Sequence, residues 1–226
     1  MNKKNLLIYV LLILPLIILL LVHNFLNSNY FISSIYKLIF LFPIFYGYFI
    51  LKKPLLNIIK KDFHYKIFKK NFFKVLLLGL FLSLIYLSAF LIFKNYLNLD
   101  NIANNLKSSA DINSTNIIFI GLYIIFINSI LEEFFWRGFI FKELNKKNRI
   151  SSYLLTGLAF SFHHVIFYYS WFNLPITIIV TLGLIIYSLF ASYIFEKYKD
   201  LFSCWLIHIL VDIVQIYIAL VVFKVI

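Results

Sequence analysis

Long apolar runs separated by short polar or basic stretches set the pattern of this chain. Seven runs can be drawn, roughly 6–26, 30–51, 74–96, 116–141, 151–169, 174–195 and 201–223, each near the ~20 residues a helix needs to cross a bilayer. Lipid offers no partner to an unpaired backbone N–H or C=O, so each run is predicted to be a helix. The expected fold is all-α: a polytopic transmembrane helical bundle of about seven (seven to eight) spans. The first run is read as a retained span and not a cleaved signal. It is too long for a signal core, and no small-residue cleavage site follows it.

Loop charge adds orientation. Residues 52–74 contain eight lysines, and 142–149 contain Lys142, Lys146, Lys147 and Arg149. The alternate loops are nearly free of positive charge: 27–29 has none, 98–115 has only Lys107, and 169–174 has none. The excess of Lys and Arg on one side predicts a cytoplasmic N-terminus and a multi-pass protein of the cell (cytoplasmic) membrane. The segment 52–74 also carries Phe63, Tyr65, Phe68, Phe72 and Phe73. It reads either as a stretch lying along an anionic leaflet or as an ordinary cytoplasmic loop. The Asn- and Ser-rich segment 98–115 reads as an exposed, mobile outer loop. Trp136, Trp171 and Trp205 fall near predicted span ends, where an aromatic belt is expected.

Composition closes off other classes. The chain has 226 residues, is 63% hydrophobic and only 13% charged, with a mean hydropathy of +0.93. A soluble domain of this make-up would have a largely apolar surface. The net charge of +12 would suit nucleic acid, but the lysines lie between spans and not on a folded basic face, so no nucleic-acid partner is expected. The expected surroundings are the membrane lipid bilayer. Cys204 is the only cysteine, which excludes an intramolecular disulfide, and its apolar setting predicts a packed, inert thiol.

Against this background the ionisable residues inside the spans stand out. They are Glu132, Glu133 and Arg137 in the fourth, His163 and His164 in the fifth, and His208 and Asp212 in the seventh. Of the first three spans, only His23 is counted, close to a span end. Charged groups in a membrane segment are costly and by default mark function. Glu133 and Arg137 are four apart, share a helix face and can pair. Glu132 is rotated about 100° from Glu133 and can face another helix. His208 and Asp212 are also four apart, so the carboxylate can orient the imidazole or accept its proton. With a rise of ~1.5 Å per residue, Glu132 lies about 24 Å from the outer end of its span, and His208 and Asp212 about 10 and 16 Å from the cytoplasmic end of theirs. These depths allow convergence in a cavity open to the cytoplasm.

The run Glu132-Glu133-xxx-Arg137 resembles the EExxxR motif of the CPBP (Abi) intramembrane proteases. These include type II CAAX prenyl endopeptidases and bacteriocin-processing or immunity proteins. Phe160 to His164 is similar to the family's FxxxH motif, and His208 to Asp212 to its HxxxN motif, with aspartate where asparagine is commonest. The three occur in family order within about residues 116–215. Hydropathy and loop charge divide off N-terminal transmembrane helices and a basic cytoplasmic loop in 1–115, and the resemblance implies a catalytic helical core in 116–226. It implies an intramembrane endopeptidase acting on a membrane-associated peptide or protein substrate. Glu132 would be the general base, His164 would help hold the water, Glu133 and Arg137 would shape the site, and His208 and Asp212 would stabilise the oxyanion or complete a water or metal site. A divalent metal is left open. Glu132, His164 and His208 form a zinc-type ligand set, yet a desolvated glutamate can also act as base alone. An ionised Asp212 cannot donate to an oxyanion, so it is protonated, orients His208, or binds a cation.

Bland alternatives exist for each group: a solvated Glu–Arg pair past the membrane edge, a core histidine bonded to a carbonyl, an interhelical His–Asp clamp. His163 reads as structural, since its neighbour fills the motif place. At the level of function, the rivals are a non-catalytic immunity or scaffold protein and a proton-coupled transporter with a Glu/His/Asp relay. No internal repeat supports a carrier. The Lys/Asn/Ile/Phe usage suggests an AT-rich bacterium, which favours peptide processing or self-immunity over prenylated CAAX substrates.

Overall fold

The structure is a computed structural model that describes residues 3–25, 34–46, 49, 52, 54, 57 and 60–226. Among the described residues every regular element is a helix. The first is α1 (Lys3–Phe25). A 3-10 segment, Ser34–Leu41, and a short turn, Phe42–Phe45, follow. Then come α2 (Tyr65–Phe93), α3 (Leu99–Ala110), α4 (Ile117–Asn145), α5 (Arg149–Tyr168), α6 (Leu174–Tyr198) and α7 (Leu201–Val222). Five of these are long and apolar enough to cross a membrane, and α1 contains a shorter apolar stretch, Leu6–Val22. The chain is a multi-pass membrane protein. The expected 30–51 span lies partly outside the described residues.

Two expectations change. The basic segment 52–74 is not a loop throughout: α2 begins at Tyr65, so Lys66, Lys69, Lys70 and Lys74 sit on the first turns of a long helix. The segment 98–115 is not a mobile loop. Asn98 caps α3 by accepting from the Asn101 N–H, and Ile102 and Leu106, four apart, bury together against Ile117, Ile120 and Val222. The surrounding Asn and Ser residues hid two apolar positions at helical spacing.

Polar caps at helix ends fix the entry of α5, α6 and α7. The Asn148, Asn173 and Asp200 side chains each accept a backbone N–H three residues on. Asp200 also accepts from the His64 N–H, which ties the start of α7 to the start of α2. Lys142 pairs with Asp62 at the same junction. Along their length α2 and α7 make the most extensive contact in the molecule. Gly79 and Ser83, both buried, form a small-xxx-small pair there. A Cβ at Gly79 would lie 2.5 Å from Leu210 Cδ1 and 3.3 Å from Ile207 Cα. This close approach fixes the helix that carries His208 and Asp212. Cys204 is fully buried on α7, as its apolar setting suggested.

The helix that carries the glutamates is irregular. Two π-helical turns, Ile124–Asn128 and Trp136–Phe141, bracket the α-helical turns Ser129–Phe135. Each π turn advances the side-chain phase, and such turns cluster at functional sites. Trp136 is fully buried, packed on Phe40, Phe135 and Phe160, and so is not part of an interfacial belt. Because α4 runs on to Asn145, this tryptophan falls inside the packed bundle.

Candidate active site

Glu132 and Glu133 are buried on α4, and burial of a carboxylate is tolerable only with partners. Each has its own set. Glu133 Oε1 accepts from Arg137 Nη1 at 3.1 Å and from His208 Nδ1 at 2.8 Å. Arg137, itself fully buried, also donates through Nη2 to Ser188 Oγ on α6 at 3.1 Å, and its guanidinium lies 4.5 Å from the Phe160 ring centroid. One carboxylate oxygen thus joins α4, α6 and α7. The pairing of Glu133 with Arg137 follows from the i, i+4 spacing. The link to His208 does not, because it depends on helix packing.

Glu132 is held differently. Its Oε1 accepts from Asn128 Nδ2 at 2.8 Å, one turn earlier on the same helix. Its Oε2 is buried and has no hydrogen-bond partner among the described residues. That oxygen lies 3.7 Å from His164 Nε2 and 4.0 Å from His208 Nε2. These gaps are too long for hydrogen bonds, yet a single oxygen atom at ~2.8 Å from each group would bridge them.

The ring orientations are fixed from behind. His164 Nδ1 is 2.8 Å from the Phe160 carbonyl oxygen, which can only accept, so Nδ1 carries the proton. His208 Nδ1–H donates to Glu133. In both rings Nε2 is the nitrogen turned toward Glu132, the arrangement by which a carbonyl or carboxylate orients an imidazole. Asp212 Oδ1 is 3.7 Å from His208 Nε2, too far for a direct hydrogen bond. The orienting carboxylate of His208 is therefore Glu133, and Asp212 faces the same gap as Glu132. Access is uneven: the His164 side chain is 27% exposed, against 2% for Glu132.

Three donor atoms gather within 4.8 Å of one another, from Glu132, His163 and His164. This group shares Glu132 and His164 with the expected set of Glu132, His164 and His208 and adds His163, while His208 Nδ1 is engaged by Glu133. Two imidazoles and a carboxylate with an otherwise unpartnered oxygen fit a divalent cation of the zinc type. His163 is buried between Phe40 and Trp136, with ring centroids at 5.6 and 6.1 Å.

Two groups escaped the sequence reading. Asn128 is a polar residue four positions before Glu132 in an otherwise apolar run, and that spacing is its signal. Lys37 lies inside the 30–51 run, is only 4% exposed, and acts electrostatically on Glu132 and Asp212. A lysine eight residues into an apolar span was visible in the sequence.

The helical turns that carry this cluster fall within the stretch that a comparison against protein families matches. Residues 114–214 match the family model described as Type II CAAX prenyl endopeptidase Rce1-like. This segment, less than half of the chain, is similar to that family. Neither the curated proteins nor the solved structures gave a match. The Rce1-like segment contains Glu132, Glu133, Arg137, His164, His208 and Asp212, and the family is one of endopeptidases. Residues outside it pack on it: Phe40 lies 5.0 Å from Phe135, ring centroid to centroid.

Proposed function

We propose that this protein is an intramembrane endopeptidase that hydrolyses peptide bonds in membrane-associated peptides or proteins, with residues 116–226 as its catalytic core. The observation that carries this reading is the Oε2 atom of Glu132. It is buried with no hydrogen-bond partner among the described residues, and two oriented imidazole nitrogens stand 3.7 and 4.0 Å away. That is the geometry in which one water can be held and deprotonated.

In this reading Glu132 is the general base and takes a proton from the water that it shares with His164. Asn128 keeps the other carboxylate oxygen engaged, so Oε2 stays directed at the gap. His208, fixed through Nδ1 by Glu133, donates to the developing oxyanion from a protonated Nε2, beside Asp212. Arg137 holds Glu133 in place through their ion pair, and so acts on the reaction through His208. A divalent cation, if bound, would be held by Glu132, His163 and His164 and would polarise the water and the scissile carbonyl. The site lies in the cytoplasmic half of the bilayer, with the N-terminus in the cytoplasm, as the basic loops suggest. The substrate class that suits it is a peptide segment entering from that leaflet, in processing or self-immunity.

The test uses purified full-length protein and a panel of quenched membrane peptides. Cleavage by wild type and none by Glu132→Ala or Glu132→Gln is expected. Equal cleavage by all three, or none by wild type across the panel, overturns the reading.

A further inference from the structure

The site contains three buried carboxylates, and their counter-charges are unequally distributed. Glu133 has Arg137 at 3.1 Å. Glu132 has a neutral amide, Asn128, and two imidazoles near it, and Asp212 has His208 at 3.7 Å. Two carboxylates facing one gap in a low-dielectric setting repel each other, and a compensating cation is needed nearby.

The 34–41 segment supplies a buried cation. It packs against the turns of α4 that hold the glutamates. In a 3-10 helix side chains three apart eclipse, so Lys37 and Phe40 share one face, and both are buried, while Ile35 and Leu38 point outward. Phe40 sits on Phe135 and His163, at 5.0 and 5.6 Å between ring centroids. Lys37, buried on the same face, interacts electrostatically with Glu132, Tyr123 and Asp212 and with both His163 and His164.

We infer that Lys37 is a positioning residue of this site: its ammonium is the counter-charge that lets Glu132 and Asp212 stand together across the gap. The inference rests on the proposed hydrolytic role of Glu132 for its catalytic consequence, and on charge pairing alone for its structural one. It also makes the N-terminal half part of the working site.

The test is a double-mutant cycle in the full chain: wild type, Lys37→Met, Asp212→Asn and the double variant, with Lys37→Arg beside them. Thermal unfolding in detergent and cleavage kinetics are both read. Lys37→Met is expected to lower the unfolding midpoint by about 5 °C or more, and kcat at least about tenfold with little change in KM. Lys37→Arg is expected to restore most of both. Removing the Asp212 charge as well should return part of the lost midpoint, because less charge is left uncompensated. Additive losses, or no rescue by Lys37→Arg, overturn the inference. If Lys37→Met does not fold, recovery of a folded protein in the double variant supports the pairing and its failure overturns it. A wild type that cleaves nothing, with the stability coupling intact, sinks the protease reading and leaves the pairing standing. Cleavage abolished by Glu132→Gln, without coupling between positions 37 and 212, sinks the pairing alone.

Discussion

Asn128→Ala isolates what holds Glu132, the proposed general base. Asn128 is 6% exposed, and its amide donates to Glu132 Oε1 at 2.8 Å from the preceding turn. A hydrogen bond to a charged acceptor is worth about 1.5–3 kcal/mol. If that energy serves to keep Oε2 aimed at the gap, its loss raises the barrier by a similar amount. At about 1.4 kcal/mol per factor of ten, kcat should fall about 10- to 100-fold. Asn128 touches no part of the gap itself, so KM should stay within about twofold. The assay is steady-state cleavage of a quenched membrane peptide, with thermal unfolding to confirm that the bundle is intact. Asn128→Asp should do worse than alanine, because two acceptors would face each other at the same distance. If Asn128→Ala cleaves at the wild-type rate while Glu132→Ala is inactive, the amide does not position the base, and the reasoning from the unpartnered oxygen fails.

Other outcomes test the frame around it. Arg137→Met leaves the Glu133 carboxylate buried without its cation and should cost about 3–5 kcal/mol in unfolding free energy; a loss under about 1 kcal/mol would show that His208 alone satisfies Glu133. Gly79→Leu should lower stability by about 1–3 kcal/mol through collision with the Ile207 backbone, while Gly183→Ala, with nothing within 4 Å of the new methyl, should be neutral or slightly stabilising; equal effects at the two positions would refute the close α2–α7 approach. In zinc-loaded protein, metal analysis should show lower retention in His163→Ala and His164→Ala than in His208→Ala, and an equal loss in all three would reject the Glu132–His163–His164 donor set.

Much of this molecule is written locally. The helical state of the spans follows from apolar length, because lipid forbids unpaired backbone groups. The Glu133–Arg137 pair follows from four-residue spacing on one helix. Glu132, His164, His208 and Asp212 were visible as charges that an apolar segment does not carry without reason. Asn128 and Lys37 were equally present in the sequence, but an amide and a lysine are weaker signals than a carboxylate pair, and neither lies in a motif. The helix of residues 99–110 was hidden by a polar composition whose two buried positions, Ile102 and Leu106, show only once α7 and α4 supply the surface they cover.

The tertiary structure alone decided who faces whom. Sequence spacing suggested Asp212 as the orienting group of His208, being one turn away. In the folded chain Glu133, 75 positions earlier, holds Nδ1 at 2.8 Å, and Asp212 stands 3.7 Å off the other nitrogen. The candidate donor group has the same origin, since the donor atoms of His163, His164 and Glu132 meet only after α4 and α5 pack. Periodicity fixes which residues share a face of one helix. The rotation and depth of one helix against another depend on side-chain volume, as at Gly79, and on π turns such as those flanking Glu132. The glutamate pair was therefore predictable as an unusual feature, and its division into one carboxylate held by Asn128 and another shared by Arg137 and His208 was not.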